Sequence, residues 1–333
     1  MKSLKTMSLA ALMALAATAA QADEKTLTVY TYDSFTAEWG PGPQIKKNFE
    51  AECDCTLNWV AVDSSISILS KIQLEGSGSK ADIALGLDTN LVKQAKETGL
   101  FAETNVAAKG LSLPIDWQDK TFIPFDYGYF AFIYDSKKMD TPPTSLKALI
   151  EAPDDLKIII QDPRTSTPGL GLMLWVREVY GDEAPKAWKK LSGKIVTATK
   201  GWYEGYSMFL EGEADMVLSY TTSPAYHIEV ESEEKYKAAA FAEGHYMQVE
   251  VAAKLKNSPN QALADQFLAF MLSEGFQSVI PTGNWMYPVT DTNSLPNSFG
   301  SLVKPAKSLI HAPEEVAEKR KDWTGEWLNA MSQ

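Results

Sequence analysis

The chain has 333 residues, 31 Lys and Arg against 43 Asp and Glu for a formal net charge of −12, and is 45% hydrophobic and 22% charged. This is a globular composition, neither disordered nor fibrous, and its acidic balance argues against a nucleic-acid partner, whose phosphates demand a basic face. Lys2 and Lys5, the apolar run Met7–Ala20 and the small-x-small pattern Ala20-Gln21-Ala22 predict an export signal over residues 1–22, cleaved after Ala22. No other run approaches the roughly 18–20 apolar residues of a membrane span. A soluble exported protein is expected, and the remaining length exceeds what one core usually supports, which predicts two lobes.

Strand and helix patterns alternate from the start. Leu27–Tyr32 has the β-branched and aromatic density of a buried strand, and Gly42-Pro43 opens a helix through Glu50. Thr56–Val62 reads as a second strand, followed by a helix capped by Ser64 or Ser65, on which Ile66, Leu69 and Ile72 share a face. Ala81–Gly86 is a third strand, and Asp88-Thr89-Asn90 caps a helix through Gly99. This β-α-β-α-β order predicts a parallel sheet covered by helices.

A second block of the same kind begins after Pro124. Tyr127–Tyr134 is an aromatic strand, Ser145–Ile150 a short helix and Lys157–Gln161 a buried strand. A long helix starts at Thr167-Pro168, Lys194–Thr199 and Met216–Tyr220 are strands, and a helix from Trp202 to Leu210 separates them. His245–Ala252 reads as a strand returning to the first block, and Asn260–Leu272 and Glu315–Met331 as amphipathic helices. No floppy linker intervenes, so the chain should cross between lobes near Phe125–Gly128 and Gly244–Val249. The expected division is lobe 1 over 23–125, lobe 2 over 126–246, a return segment over 247–290 and a C-terminal helical segment over 291–333.

Ligands of open α/β sheets bind beyond the C-terminal strand ends. Those positions carry Tyr32 and Trp39, Ser64 and Ser65, Trp202, Tyr220-Thr221-Thr222-Ser223 with Tyr226, and Trp285. Aromatic rings at turns have less core to enter than rings within strands. Stacked on a flat, delocalised cation, each contributes burial and cation–π attraction of about 0.5–2 kcal/mol. In Thr165-Ser166-Thr167-Pro168-Gly169, Thr167 suits the N-cap and Pro168 the first helical position. Ser166 sets a hydroxyl beside the orphan amides, an arrangement suited to an anion or an alcohol oxygen as well as to ordinary capping. Arg164 could assist a phosphate, although a structural pair with Asp162 is the simpler expectation.

Catalysis has little support. No nucleophile elbow, H-E-x-x-H, P-loop or dinucleotide fingerprint is present. His227, His245 and His311 are scattered, and Cys53-Asp54-Cys55 has no Cys/His partners for a metal. The two cysteines read either as a small-ring disulfide, which needs a local bend, or as a reduced, half-buried pair; both readings stand.

In order, YTYDSF (Tyr30–Phe35), WGPGP (Trp39–Pro43), FDYGYFAFIYD (Phe125–Asp135) and QDPRTSTPGLGL (Gln161–Leu172) carry a resemblance that continues through KGW (Lys200–Trp202) and LSYTTSPAYH (Leu218–His227). EGHY (Glu243–Tyr246) and IPTGNWMYPV (Ile280–Val289) complete it. The chain resembles, over its whole length after the signal, the periplasmic thiamine-binding proteins of bacterial ABC importers. The resemblance implies an α/β, two-lobed type II periplasmic binding-protein fold hinged between its domains, and a monomer without a cofactor. Such a protein captures thiamine, thiamine monophosphate or thiamine diphosphate and presents it to a membrane permease and its ATPase. By motif match the contacts fall on Ser64, Ser65, Ser166, Thr167, Trp202 and Tyr220, Thr221, Thr222 and Ser223. Tyr226, Trp285, Tyr32 and Trp39 supply aromatic walls. The family's acidic-acidic-glycine turn is here Asp63-Ser64-Ser65, without the glycine and one carboxylate. Two other readings share the scaffold: a ferric-ion or anion carrier, and a secreted thiamine-degrading transferase that would need an activated cysteine in the cleft.

Overall fold

A computed structural model describes residues 25–292 and 295–332 of the chain; the predicted export signal lies outside the described residues. Among the described residues eleven strands run in chain order as β1 (Thr26–Tyr32), β2 (Thr56–Val62), β3 (Ile83–Asp88), β4 (Ile123–Asp135), β5 (Ile158–Gln161), β6 (Ile195–Thr199), β7 (Met216–Tyr220), β8 (Tyr236–Ala238), β9 (His245–Lys254), β10 (Tyr287–Pro288) and β11 (Ser308–Leu309). Their spatial order is β2-β1-β3-β9-β4-β7-β5-β6, with β8 and β10 on β4 and β11 on β9.

The outer strands obey the parallel expectation: β1 pairs parallel with β2 and β3, and β5 with β6 and β7. The middle does not. β9 is antiparallel to both β3 and β4, and β4 to β7. The reason is connectivity: β4 carries the chain out of the first half and β9 brings it back, so the two crossings run in opposite senses. β4 changes partner along its length, from β9 over Ile123–Tyr129 to β7 over Phe130–Tyr134. Largely apolar and aromatic sequence makes both strands possible, since neither has a face in water: all ten residues of β9 are buried.

The long helix Pro313–Met331 lies against Thr89–Glu97 in the first half and Ala184–Ser192 in the second. Arg320 Nη1 donates to Gln94 Oε1 at 2.9 Å, and Arg177 pairs with Glu326 while lying 5.2 Å from the Trp323 ring. The C-terminal segment thus bridges both halves rather than extending one. Cys53 and Cys55 form a disulfide, and Asp54 between them supplies the needed bend at φ 49°, a left-handed conformation that Asp tolerates better than most residues. Among the described residues no helix is long and apolar enough to cross a membrane.

Candidate functional site

Where the two halves of the sheet meet, the C-terminal strand ends enclose a cavity of about 350 Å³, within the size class of small-molecule sites. From the first half, the end of β1 contributes Tyr32, the following turn Trp39, and the turn after β2 Asp63, Ser64 and Ser65. From the second half come Ser166 and Thr167, Trp202 at the start of the helix Trp202–Glu211, and Tyr220, Ser223 and Tyr226 after β7. Trp285 closes the side between Asn284 and Met286. Eleven of the thirteen residues singled out in the sequence therefore line one cavity. Thr221 and Thr222 do not: both are fully buried away from it, because the Thr221 amide bonds to Tyr129 O and turns this peptide inward.

The rings are held in place by polar partners. Trp202 Nε1 donates to Ser219 Oγ at 2.7 Å, and Ser219 is linked to Ser223 Oγ at 2.7 Å, so Ser223 orients the indole as well as lining the cavity. The Trp202 ring stacks on Tyr206 at 5.0 Å, and Tyr226 meets Trp285 edge-on at 5.6 Å. Tyr206 OH and Glu231 Oε2 flank the His227 ring nitrogens at 2.9 and 2.6 Å. Burial pulls the His227 pKa down, so the neutral ring donates from Nδ1 to Glu231 and accepts the Tyr206 hydroxyl at Nε2. At the mouth, Trp39 faces Tyr203 from the opposite half, ring centres 5.5 Å apart.

The long helix of the second half spans Thr167–Tyr180. Its N-cap is Ser166, one residue earlier than the sequence reading placed it, with Thr167 and Pro168 in the first turn. Ser166 makes no side-chain capping bond, so its hydroxyl and the orphan first-turn amides face the cavity together. Gly169 lets this turn sit against β5: an added Cβ would lie 2.4 Å from Gln161 O. Arg164 is bound to Asp162 through Nε at 2.9 Å, the structural pairing rather than a ligand-facing one. Across the cleft Thr167 Oγ1 approaches Ser65 Oγ at 3.4 Å, Ser64 Oγ donates to Thr165 O, and Lys200 pairs with Asp63.

The cavity also carries a buried acid, backed by a second, neither of them among the residues singled out in the sequence. Glu250 on β9 lines the cavity and stands opposite Asp126 on β4 in register. Tyr32 OH donates to Glu250 Oε2 at 2.9 Å, and Asn284 Nδ2 donates to Asp126 Oδ2 at 2.6 Å while lying 3.3 Å from Glu250 Oε2. Desolvation raises the pKa of Asp126 to about 7 and, with the Asp126 charge beside it, holds that of Glu250 well above the carboxylate range. Burial also lifts Asp88, the N-cap of the helix Thr89–Glu97, to about 6. The signal was legible in principle: an acid flanked on both sides by apolar residues in a buried strand, Phe125-Asp126-Tyr127 and Val249-Glu250-Val251, must be buried and must find partners.

These raised carboxyls set the sign of a pH effect on the ligand-free protein. An unfolded carboxylate titrates near ~4, so between about 4 and 7 the folded state holds more protons than the unfolded one. Stability is then greatest at the acid end of that window and declines as pH rises through it, by up to ~1.4 kcal/mol per pH unit for each proton held. The melting temperature is expected to be higher at pH 5.5 than at pH 8; a melting temperature that rises with pH would mean these acids are ionised in the folded state.

A family model described as bacterial extracellular solute-binding protein matches residues 30–278. The chain belongs to that family. Among curated relatives, this solute-binding protein is 57% identical over 306 residues to the thiamine-binding periplasmic protein of Salmonella typhimurium, covering 92% of this chain and 93% of the relative. It is 53% identical over 331 residues to that of Brucella melitensis, covering 99% and 98%. A solved structure named periplasmic thiamin binding protein superimposes with a TM-score of 0.92 at 56% identity, over 93% of this chain and 97% of that one. The fold is thus the periplasmic binding-protein fold that the motifs implied.

The rival readings fit this solute-binding protein less well. Among the described residues no group of three or more His, Cys, Asp and Glu is placed to hold a metal ion. The two cysteines are bonded to each other and neither lines the cavity, so the cleft offers no thiol nucleophile for a thiamine-degrading reaction.

Proposed function

We propose that this protein binds thiamine and its mono- and diphosphate esters in the periplasm and delivers them, as a monomer, to an ABC-type membrane permease and its ATPase, without chemical turnover. The observation that carries the reading is the pairing of aromatic walls with a buried acidic pair in one cleft. A thiazolium needs ring faces and negative potential, and Trp202, Tyr226 and Trp285 line the same cavity as Glu250, with Asp126 its cross-strand partner. The close similarity to thiamine-binding relatives supports the same choice. Submicromolar capture requires more than about 8 kcal/mol, within reach of several stacked rings and charge-assisted hydrogen bonds in a desolvated cleft.

In this reading residues 23–125 and 247–290 form one lobe and 126–246 the other, with ligand residues from both, so occupancy and closure are coupled. The hydroxyethyl or phosphate tail reaches the uncapped start of the helix Thr167–Tyr180. Mass spectrometry of ligand carried through native purification tests the proposal: a thiamine species is expected, and a protein that takes up no thiamine ester in calorimetry would overturn it. Ser166→Ala is expected to weaken thiamine monophosphate more than thiamine, by about tenfold against about threefold, since a charge-assisted bond is roughly twice a neutral one. Equal losses by calorimetry would place the tail elsewhere.

A further inference from the structure

We propose that Asp126 and Glu250 share one proton in the unliganded cleft and surrender it when a cationic ligand is bound, so that uptake is coupled to proton release and the pair selects for ligand charge. This rests on the thiamine reading and names the groups that would read the thiazolium charge.

The geometry carries it. Asp126 and Glu250 are cross-strand partners on β4 and β9, and both accept from the same Asn284 amide nitrogen. Within 2.6 and 3.3 Å of that one nitrogen, the two carboxyls are brought side by side on adjacent strands, an arrangement that favours one proton between them. Asp126 is fully buried and its Oδ1 has no hydrogen-bond partner, whereas Glu250 reaches the cavity surface. The outer acid is thus exposed to ligand charge and the inner one is left with unused acceptor capacity.

The titratable groups facing the pair do not neutralise it. β1 presents Tyr32, whose hydroxyl donates to Glu250; β3 presents Asp88, opposite Glu250 in register; and β7 presents Tyr220, bonded to Gln248 at 3.3 Å. Burial and the nearby acids hold both tyrosines protonated. The Arg320 guanidinium, from the helix Pro313–Met331 and half-buried, acts on Asp88. A doubly ionised pair would be two like charges in a dry site with no countercharge of their own, which retains a proton. A cation stacked on the rings of the same cavity supplies that countercharge, favours the ionised form and expels the proton. By reciprocity, whatever the ligand does to the proton the proton does to the ligand, so affinity must fall on acidification.

Calorimetry of thiamine binding to the whole mature protein, in buffers of differing ionisation enthalpy between pH 6 and 8, counts the protons. About one proton released per thiamine is expected in the lower half of this range, with affinity falling by up to tenfold per pH unit as pH decreases. Glu250→Gln should abolish the release, flatten the affinity profile and weaken binding at pH 8 by at least tenfold; Asp126→Asn should also abolish the release while leaving Glu250 ionised. The ligand's own pyrimidine titration is common to all three proteins and cancels in the comparison. Wild-type binding with no proton exchange and a flat profile would overturn the inference while leaving the thiamine reading intact, as would a Glu250→Gln protein that still releases a proton. Absence of any thiamine binding would remove the reading and this inference with it.

Discussion

Replacing Trp285 with alanine is expected to weaken thiamine binding about a hundredfold, ~2.7 kcal/mol, the largest loss of any single ring in the cleft. Trp285 holds φ at 54°, a left-handed conformation that only two other non-glycine residues adopt among those described. A bulky side chain there carries strain of about 1–2 kcal/mol and persists where its surroundings over-determine it. The surroundings are evident: the short helix Ile280–Gly283 precedes it, β10 follows at once and is tied to β4, and Tyr226 holds the indole edge-on. A glycine would occupy this backbone more easily, so an indole kept here against that strain argues for a role in binding. The comparison of Trp285→Gly with Trp285→Ala separates ring from backbone. Both should lose affinity equally in calorimetry, while in chemical denaturation the glycine variant should be the more stable by about 1 kcal/mol. An alanine variant with wild-type affinity would remove Trp285 from the site.

How much of this was visible beforehand depends on how local the cause was. The strand at Thr26–Tyr32 and the helix capped at Asp88 follow from neighbouring residues, and Asp88 Oδ1 does accept from the Asn90 amide at 3.1 Å. Aromatics at strand ends pointed to the cleft because a sheet end offers them little core. The antiparallel crossing of β4 and β9 was not readable, since a strand buried on both faces has no alternation to fix its partner or direction. Thr221 and Thr222 looked like Ser223 in composition and differ only in where one amide finds its acceptor. The Tyr203, Tyr206, Ser207 and Leu210 face of the helix Trp202–Glu211 also lines the cavity, and its i, i+3, i+4, i+7 spacing could have been extracted from the sequence. The buried acids needed the opposite inference, from a charge flanked by apolar residues to a buried pair. No rule of periodicity reveals that Asp126 and Glu250, from distant parts of the chain, come to share Asn284.

Gly201→Ala should weaken thiamine binding by at least tenfold while leaving the melting temperature of the ligand-free protein within about 2 °C of wild type, because the side chain is added to the closed state alone. Gly201 caps the helix Trp202–Glu211 in the second half with an extended backbone, φ −135°, that any residue adopts, so the residue is not required by its own conformation. It is required by the opposite wall: an added Cβ would lie 2.8 Å from Asp63 O at the start of the turn after β2. That neighbour is backbone and cannot swing aside. The same rim carries the Lys200–Asp63 pair and the Ser64 hydroxyl bond to Thr165 O, so a methyl at Gly201 would hold these partners apart as well. Overpacking of this kind typically costs about 1–3 kcal/mol, charged here against closure and therefore against affinity. Gly205→Ala, one turn along the same helix, is the contrasting variant: its Cβ would meet Thr199 Oγ1 at 2.8 Å within its own half, so it should lower the ligand-free melting temperature instead. Stopped-flow fluorescence on the cleft tryptophans should show the Gly201→Ala loss mainly as faster release, since the open cleft still admits ligand but grips it less firmly. Unchanged affinity in Gly201→Ala would mean that the rim stays further apart in the liganded protein than it is in this structure.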